Sequence, residues 1–496
     1  MQHFRRVSLI IAIIAAFTVA AFGEELPVST ANFSNDSAAA DSNRKTYTTA
    51  NEGNTVNVNN EAGVDAIYVE FDRLPPGKWT VTDVEKGTTV DCGLNGFLHD
   101  FADLKELFGY SPKNIDIHFT DGSVIADVHA YSGDIPDSVQ RWEPYLDKAD
   151  LVLLTTHSDD EQLFFAGLLP YYAIERKLDV QVVYFIQHFQ IGSKLDHIRP
   201  HEQLDGLWTV GIRHYPYISE FPDVYAEDKD RQTALNLMLY RFKGYGYTYD
   251  DFLGYTVGII RRFKPLVLVT HDLNGEYGHG AHVLNADTCV NALGVSGDPS
   301  QFTESAERYG VWVPQKMYVH LYDQNQIEMD WDTPYDSMGG YTPFQMTQQG
   351  WMHHVSQHYA WFYRWILGTK YSPISAATQI KTYSPCKYGL YHSLVGEDIS
   401  KNDMFEHIIT YAQRSAIMSS TIENIGSTTT QVANQLQDKI VKDAVLKEEP
   451  LLENLLAALV QNEEHKANTI RISICAGSLV LLAVIIFVLR RSRKKQ

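Results

Sequence analysis

Hydrophobic and polar positions change rhythm twice along this chain. In the first part, "AIYVEF", "KWTVTDV", "NIDIHFT" and "SVIADVHAY" are short, mostly alternating runs separated by "LPPGK", "SPK" and "TDGS". Period-two runs bounded by Gly, Pro and Asp predict strands, so residues 61–146 read as a small β-sandwich-like accessory domain. From residue 148 onward, "ADLVLLTTH", "VQVVYFIQ", "LVLVTHD" and "KMYVHLY" are near-continuous apolar runs. Strands of a parallel sheet covered on both faces have this character. Between them, "EQLFFAGLLPYYAIERK", "RPHEQLDGLWTVG" and "TYDDFLGYTVGIIRRFK" carry apolar residues at helical spacing. The alternation predicts an α/β class, a layered α/β/α domain with a mostly parallel sheet over 147–415.

The two ends follow neither rhythm. Arg5 and Arg6 precede an apolar run that closes on small residues, which predicts a signal peptide over 1–23. Residues 24–60 are rich in Ser, Thr, Asn and Ala without apolar periodicity and read as a flexible leader. At the far end, 416–468 is polar and partly helical, a stalk. Ile472 to Leu489 is a run of 18 residues without a charge, near the roughly 20 that span a bilayer. With its margin it predicts a transmembrane helix at 469–489. Arg490, Arg491, Arg493, Lys494 and Lys495 follow, so 490–496 is expected to be a basic cytoplasmic tail. The expectation is a single-pass type I protein of the cell membrane, exported and held by its C-terminus.

Charge and cysteine usage narrow the chemistry. A net charge of −20 argues against a nucleic-acid partner. The four cysteines, Cys92, Cys289, Cys386 and Cys475, form neither a disulfide framework nor a zinc-ribbon spacing. Any metal site must therefore use histidines and carboxylates.

One stretch raises that question directly. "LVLLTTHSDDEQLFFAGLLPYY" places His157, Asp159, Asp160 and Glu161 where a buried strand ends. Ser158 with Glu161 has the S-x-x-E spacing of a capping box, and acidic residues suit a helix start, so capping explains all but His157. The other reading uses position. In open α/β sheets ligands bind beyond the carboxyl ends of strands, and His with Asp suits Zn²⁺, which in catalytic sites takes three protein ligands. About 125 residues later, "LVLVTHDLNGEYGHGAHVLNADTCVNAL" repeats the pattern, with His279 and His282 three apart where a helix opens. Capping does not predict two strand ends that both discharge His and carboxylate groups.

"THSDDE" followed by "GHGAH" resembles the paired motifs of the LmbE/PIG-L family of zinc-dependent de-N-acetylases, which usually read A-H-P-D-D-E and G-H-P-D-H. "HIRPHEQLDGLWTVGI" resembles the family's R-x-x-E helix, and the match spans roughly 148–325. The resemblance implies a Rossmann-like catalytic domain in which His157, Asp160 and His282 hold Zn²⁺. It implies Asp159 as general base, His279 as oxyanion stabiliser or acid with Tyr277 as helper, and Arg199 as the substrate-binding residue. The implied reaction removes an N-acetyl group from an acetamido sugar or glycoconjugate. Two positions depart from the pattern. Ser158 stands for the usual proline, and Ala281 stands for an aspartate that would orient His279 and raise its pKa. His271, Asp272 and Glu276 are candidates for that orienting role. "GWMHHVSQHYAWFYRWIL" contains an H-x-S-Q element, so His354 is either a pocket residue or part of an amphipathic packing helix. Two alternatives stay open: a zinc amidohydrolase acting on a non-sugar amide, and an inactive glycan-binding surface protein. The oligomeric state is not legible in the sequence.

Overall fold

In the computed structural model, residues 23–187, 197–359, 361–421 and 431 are described. Ten antiparallel strands come first: β1 (Glu24–Leu26), β2 (Ser29–Ala31), β3 (Thr48–Thr49), β4 (Thr55–Asn59), β5 (Ala66–Phe71), β6 (Trp79–Asp83), β7 (Thr88–Cys92), β8 (His99–Asp103), β9 (Asn114–Phe119) and β10 (Val124–Ser132). One sheet runs β1-β10-β5-β8 with β3 also on β10, and the other runs β2-β4-β9-β6-β7. Alternation does what it should in β4 and β6: Val56 and Val58, Trp79 and Val81 are buried between partly exposed neighbours. Phe71 of one sheet meets Phe119 of the other edge-on at 5.8 Å, within a shared core.

This corrects the reading of 24–60 as a flexible leader. Four of the ten strands lie there, and they complete both sheets: Val56 pairs with Ile117, and Thr48 with Ile125. β1 and β2 are half-solvated edge strands, and β4 between β2 and β9 buries only Val56 and Val58, so composition alone hides them.

The second part is a seven-stranded sheet made of β11 (Leu151–Thr155), β12 (Val180–Tyr184), β13 (Tyr217–Ile218), β14 (Val267–Thr270), β15 (Lys316–His320), β16 (Gln326–Glu328) and β17 (Lys387–Ser393). The order is β13-β12-β11-β14-β15-β17-β16. The first five strands are parallel, and β17 is antiparallel to both neighbours. Every residue of β11, β12, β14 and β15 is buried, as continuous apolar runs require. Strand order reverses between β11 and β14. That reversal is the switch point at which such sheets open a crevice.

Helices α1 (Asp160–Leu163), α2 (Arg199–Thr209), α3 (Tyr249–Phe263) and α4 (Gly280–Val295) surround the crevice or cover the sheet. The stretch after β11 is not the single helix its spacing suggests. Gly167 has φ of 90°, and a Cβ there would lie 2.4 Å from Trp331 Cγ. The chain therefore breaks into short turns packed against that indole. The expected S-x-x-E box does not form either. Asp159 is the capping residue of α1 and makes no side-chain cap bond, while the Asp160 carboxylate accepts the His157 N–H at 2.7 Å.

Sandwich and α/β sheet belong to one compact unit that ends at Gln413, and a second begins at Arg414. Cys92, Cys289 and Cys386 are free and buried. Among the described residues no helix is long and apolar enough to cross a membrane. The expected signal peptide, most of the stalk, the transmembrane helix and the basic tail lie outside the described residues.

A chain beginning at residue 61 is expected to lose cooperative folding. It would forfeit Leu26, Phe33, Val56 and Val58 from the core, at roughly 1.5–3 kcal/mol each, against a total stability of about 5–15 kcal/mol. Thermal melts followed by near-UV circular dichroism check this; a melt within a few degrees of the full chain contradicts it.

Candidate metal centre

The end of β11 and the start of α4 meet at the switch point. His157 Nδ1 lies 3.1 Å from Asp160 Oδ2 and 3.1 Å from His282 Nε2, and His282 Nε2 lies 3.2 Å from Asp160 Oδ2. All three side chains are buried. A tetrahedral site with bonds of about 2.0–2.1 Å places its ligand atoms about 3.3 Å apart, so this near-equilateral set fits a small transition-metal ion. The electrostatics agree. Burial would raise the Asp160 carboxyl, but His282 and His157 hold it well below the usual range. Burial would lower His282, yet Asp160 and Glu276 push it up to about 10. The field that grips a proton here is the field a cation uses.

Behind the ligands sits a fully buried carboxylate. Glu276 Oε2 accepts from His282 Nδ1 at 2.8 Å and from His271 Nδ1 at 2.8 Å, and Oε1 accepts from His320 Nδ1 at 2.6 Å. The Asp272 N–H adds a fourth donor at 3.2 Å. Burial works against its charge, but these imidazoles, His271 foremost, keep the carboxyl well below the carboxylate range. Glu276 thus fixes the His282 tautomer that presents Nε2 to the centre. His271, though close, is committed elsewhere: its Nε2 accepts the Thr156 N–H at 3.0 Å. Sequence reasoning names Glu276 only as a candidate partner for His279 and misses its bond to His282. A Glu on a strand-end turn rich in His was the available signal.

His279 has another partner. It caps α4, and its Nδ1 accepts the Ala281 N–H at 3.2 Å. The Ala281 position therefore still orients this ring, through its backbone instead of a carboxylate. Burial, with His157 and His282 nearby, pushes His279 well below its ordinary pKa. With Nδ1 accepting the Ala281 N–H, Nε2 is the nitrogen that can carry the ring's proton toward the crevice. One nitrogen each of His157, His279 and His282 lie within 4.8 Å of one another, as do ligand atoms of Asp160, His271 and His282.

Asp159 lies beside the ligands, with its Oδ1 3.6 Å from Arg199 Nη2. Burial raises its pKa, with Arg199 pulling the other way. Tyr277 stands in the left-handed region at φ 51°, uncommon for an aromatic residue, and its ring centroid is 5.4 Å from that of His279 and 5.6 Å from that of His282. His354 does not sit in a packing helix. It follows one and is buried, with Nε2 3.5 Å from Glu161 Oε1. Burial lowers it to about 4 and raises Glu161 to about 8. Every sequence-expected site residue thus reaches this crevice.

No family model matches the chain. Over 69 residues it is 30% identical to 1D-myo-inositol 2-acetamido-2-deoxy-alpha-D-glucopyranoside deacetylase of Geodermatophilus obscurus, covering 14% of this chain and 22% of that protein. The enzyme of the same name from Streptomyces avermitilis is 37% identical over 51 residues, or 10% of this chain and 17% of its own length. The resemblance to the LmbE/PIG-L family holds. The chain spans less than a quarter of the length of either relative. N,N'-diacetylchitobiose deacetylase from Pyrococcus horikoshii superposes over 49% of this chain and 84% of its own, at 15% identity and a TM-score of 0.32.

Glu276→Gln is expected to weaken binding of a Zn²⁺ titrant about ten- to a hundredfold, the cost of removing a carboxylate behind a ligand histidine. Competition with a chromophoric chelator reads it. Unchanged affinity would remove Glu276 from the site.

Proposed function

We propose that the protein is a Zn²⁺-dependent hydrolase that removes the N-acetyl group from an N-acetylglucosamine-type sugar or glycoconjugate. The observation that carries this reading is the convergence of His157, Asp160 and His282 at the switch point with Asp159 beside them. His157 Nδ1, Asp160 Oδ2 and His282 Nε2 would hold the ion. When bound, Zn²⁺ supplies Lewis acidity toward the acetamide carbonyl and toward a water molecule.

The chain's own groups divide the remaining work. Asp159, a carboxylate not used as a ligand, takes the proton from the attacking water, and Arg199 beside it binds the sugar's polar groups. His279 donates Nε2–H to the developing oxyanion, a contribution of about 3 kcal/mol for a preorganised donor. Burial and the neighbouring His157 and His282 disfavour a second proton on His279. The leaving amine is therefore protonated by Asp159, whose buried carboxyl has a raised pKa and returns what it took.

Aromatic groups extend outward from the metal. Tyr277 meets Trp361 at 5.9 Å and Phe362 at 5.8 Å, while Tyr225 meets His279 at 5.4 Å. Trp361 is 47% exposed and Tyr225 58%. Such rings offer apolar faces with polar edges, which suits the face of a pyranose. Export and single-pass anchoring remain part of the proposal, carried by the sequence of the two ends.

Asp159→Asn is expected to keep its zinc and lose at least about a hundredfold in kcat, the scale of lost acid–base catalysis. Acetate release from an N-acetylglucosamine glycoside, with and without chelator, checks the reaction; turnover at the wild-type rate excludes Asp159. Trp361→Ala is expected to raise KM for a disaccharide about fivefold, near 1 kcal/mol of ring contact, with kcat kept. An unchanged KM removes this wall from the binding site.

A further inference from the structure

Helix α2 carries two sets of residues on two faces. Arg199, Glu202 and Gly206 share the face toward the crevice. Arg199 approaches Asp159, Glu202 accepts from the Ser356 N–H and Oγ at 2.8 and 2.5 Å, and a Cβ on Gly206 would lie 2.8 Å from His354 Nε2. His201, Asp205 and Trp208, offset by four and three residues, turn toward the sandwich and the segment that leaves it.

That second face is bonded by a polar network. Arg44, on the stretch between β2 and β3, grips Glu70 of β5 through Nε at 2.6 Å and grips Asp205 through Nη1 and Nη2, the latter at 3.2 Å. Gln140 Nε2 donates to Asp205 Oδ1 at 2.6 Å. Its Oε1 accepts from Trp142 Nε1 at 2.8 Å and faces His99 Nδ1 at 2.7 Å. With that proton assigned, His99 Nε2 is the acceptor for His201 Nδ1–H at 2.6 Å. Trp208 Nε1 donates to the Asp137 carbonyl at 2.8 Å. Burial would raise the Glu70 carboxyl, but Arg44 brings it down to about 2. Beside the apolar contact of Phe97 with Tyr215, this interface directs charge-assisted bonds at one helix.

We propose that the β-sandwich is a positioning part of the active site: Arg44, Gln140 and His99 set the rotation and height of α2, and thereby the placement of Arg199 beside Asp159. This rests on the substrate-binding role proposed for Arg199. The sandwich is then not a detachable glycan-binding accessory. Arg44, Gln140, His99 and Asp205 are positioning residues, and none of them touches the reacting atoms.

The test compares full-length wild type, Asp205→Asn, Arg199→Ala and the double variant. It measures acetate release from methyl N-acetylglucosaminide, bound zinc, and hydrogen exchange of the amides of 199–209 and 280–295. Asp205→Asn is expected to raise KM about five- to twentyfold, with kcat and zinc content within about twofold, since misplacement of a binding group acts on substrate capture. In the Arg199→Ala background the same change should add less than about twofold, because coupled residues are non-additive. Exchange should quicken in 199–209 and not in 280–295.

Equal KM effects in both backgrounds, or a fall of kcat and zinc together, mark general loosening and overturn the proposal. So does unchanged exchange in 199–209. Arg199→Ala with an unaltered KM overturns the reading of Arg199 itself, and the proposal with it. If Arg199→Ala raises KM and Asp205→Asn does not, only the positioning role fails. Were wild type to release no acetate, the deacetylase reading would fail alone, and the exchange measurement would still decide whether the sandwich holds α2.

Discussion

The centre depends on one buried anion. Glu276 has no solvent contact, yet three imidazoles and a backbone amide aim their N–H groups at its two oxygens. Taking a carboxylate out of water costs several kcal/mol, and charge-assisted hydrogen bonds of about 1.5–3 kcal/mol each offset it. The three histidines come from the end of β14, the first turn of α4 and the end of β15. Removing the carboxylate would therefore release three elements as well as one ligand. The same bond that fixes His282 also ties the switch point together.

This explains why charge stands at the mouth of a buried strand. Parallel strands end where the reversal of order leaves a crevice, and the backbone donors there need partners. Asp160 serves two needs at once, accepting the His157 N–H and facing both His157 and His282. Asp159, one residue earlier, stays off the ligand set beside Arg199. Adjacent carboxylates thus reach opposite states: the one among imidazoles is held ionised, and the one pressed by burial is raised.

The join between sandwich and sheet adds a buried polar network to an apolar core that runs through both. Phe97 stacks on Tyr215 at 4.2 Å, and the Leu98 N–H donates to the Tyr215 hydroxyl at 3.1 Å. Beside this apolar contact lie Arg44, Glu70, Asp205, Gln140 and a pair of histidines that burial keeps neutral. Such groups tolerate burial only in one arrangement, so they fix orientation more strictly than apolar packing does. Ala281 illustrates the same economy on a smaller scale, supplying from its backbone the partner that His279 needs.

Local patterning carried much of this structure. Alternating runs became sandwich strands, continuous apolar runs became β11, β12, β14 and β15, and helical spacing became α2 and α3, because period and burial are properties of neighbouring residues. The ligand candidates His157, Asp160 and His282 were legible for the same reason: each sits within a few residues of a strand end or helix start. What local pattern could not determine was anything that depended on a distant partner. The strands within 24–60 find partners up to about a hundred residues away, and a side chain at Gly167 would run into Trp331. Glu276 gains its third imidazole only when β15 brings His320 to it, and Arg44 meets Asp205 only when sandwich and sheet are assembled. Chain-local chemistry named the candidate residues; long-range contacts decided how they are held.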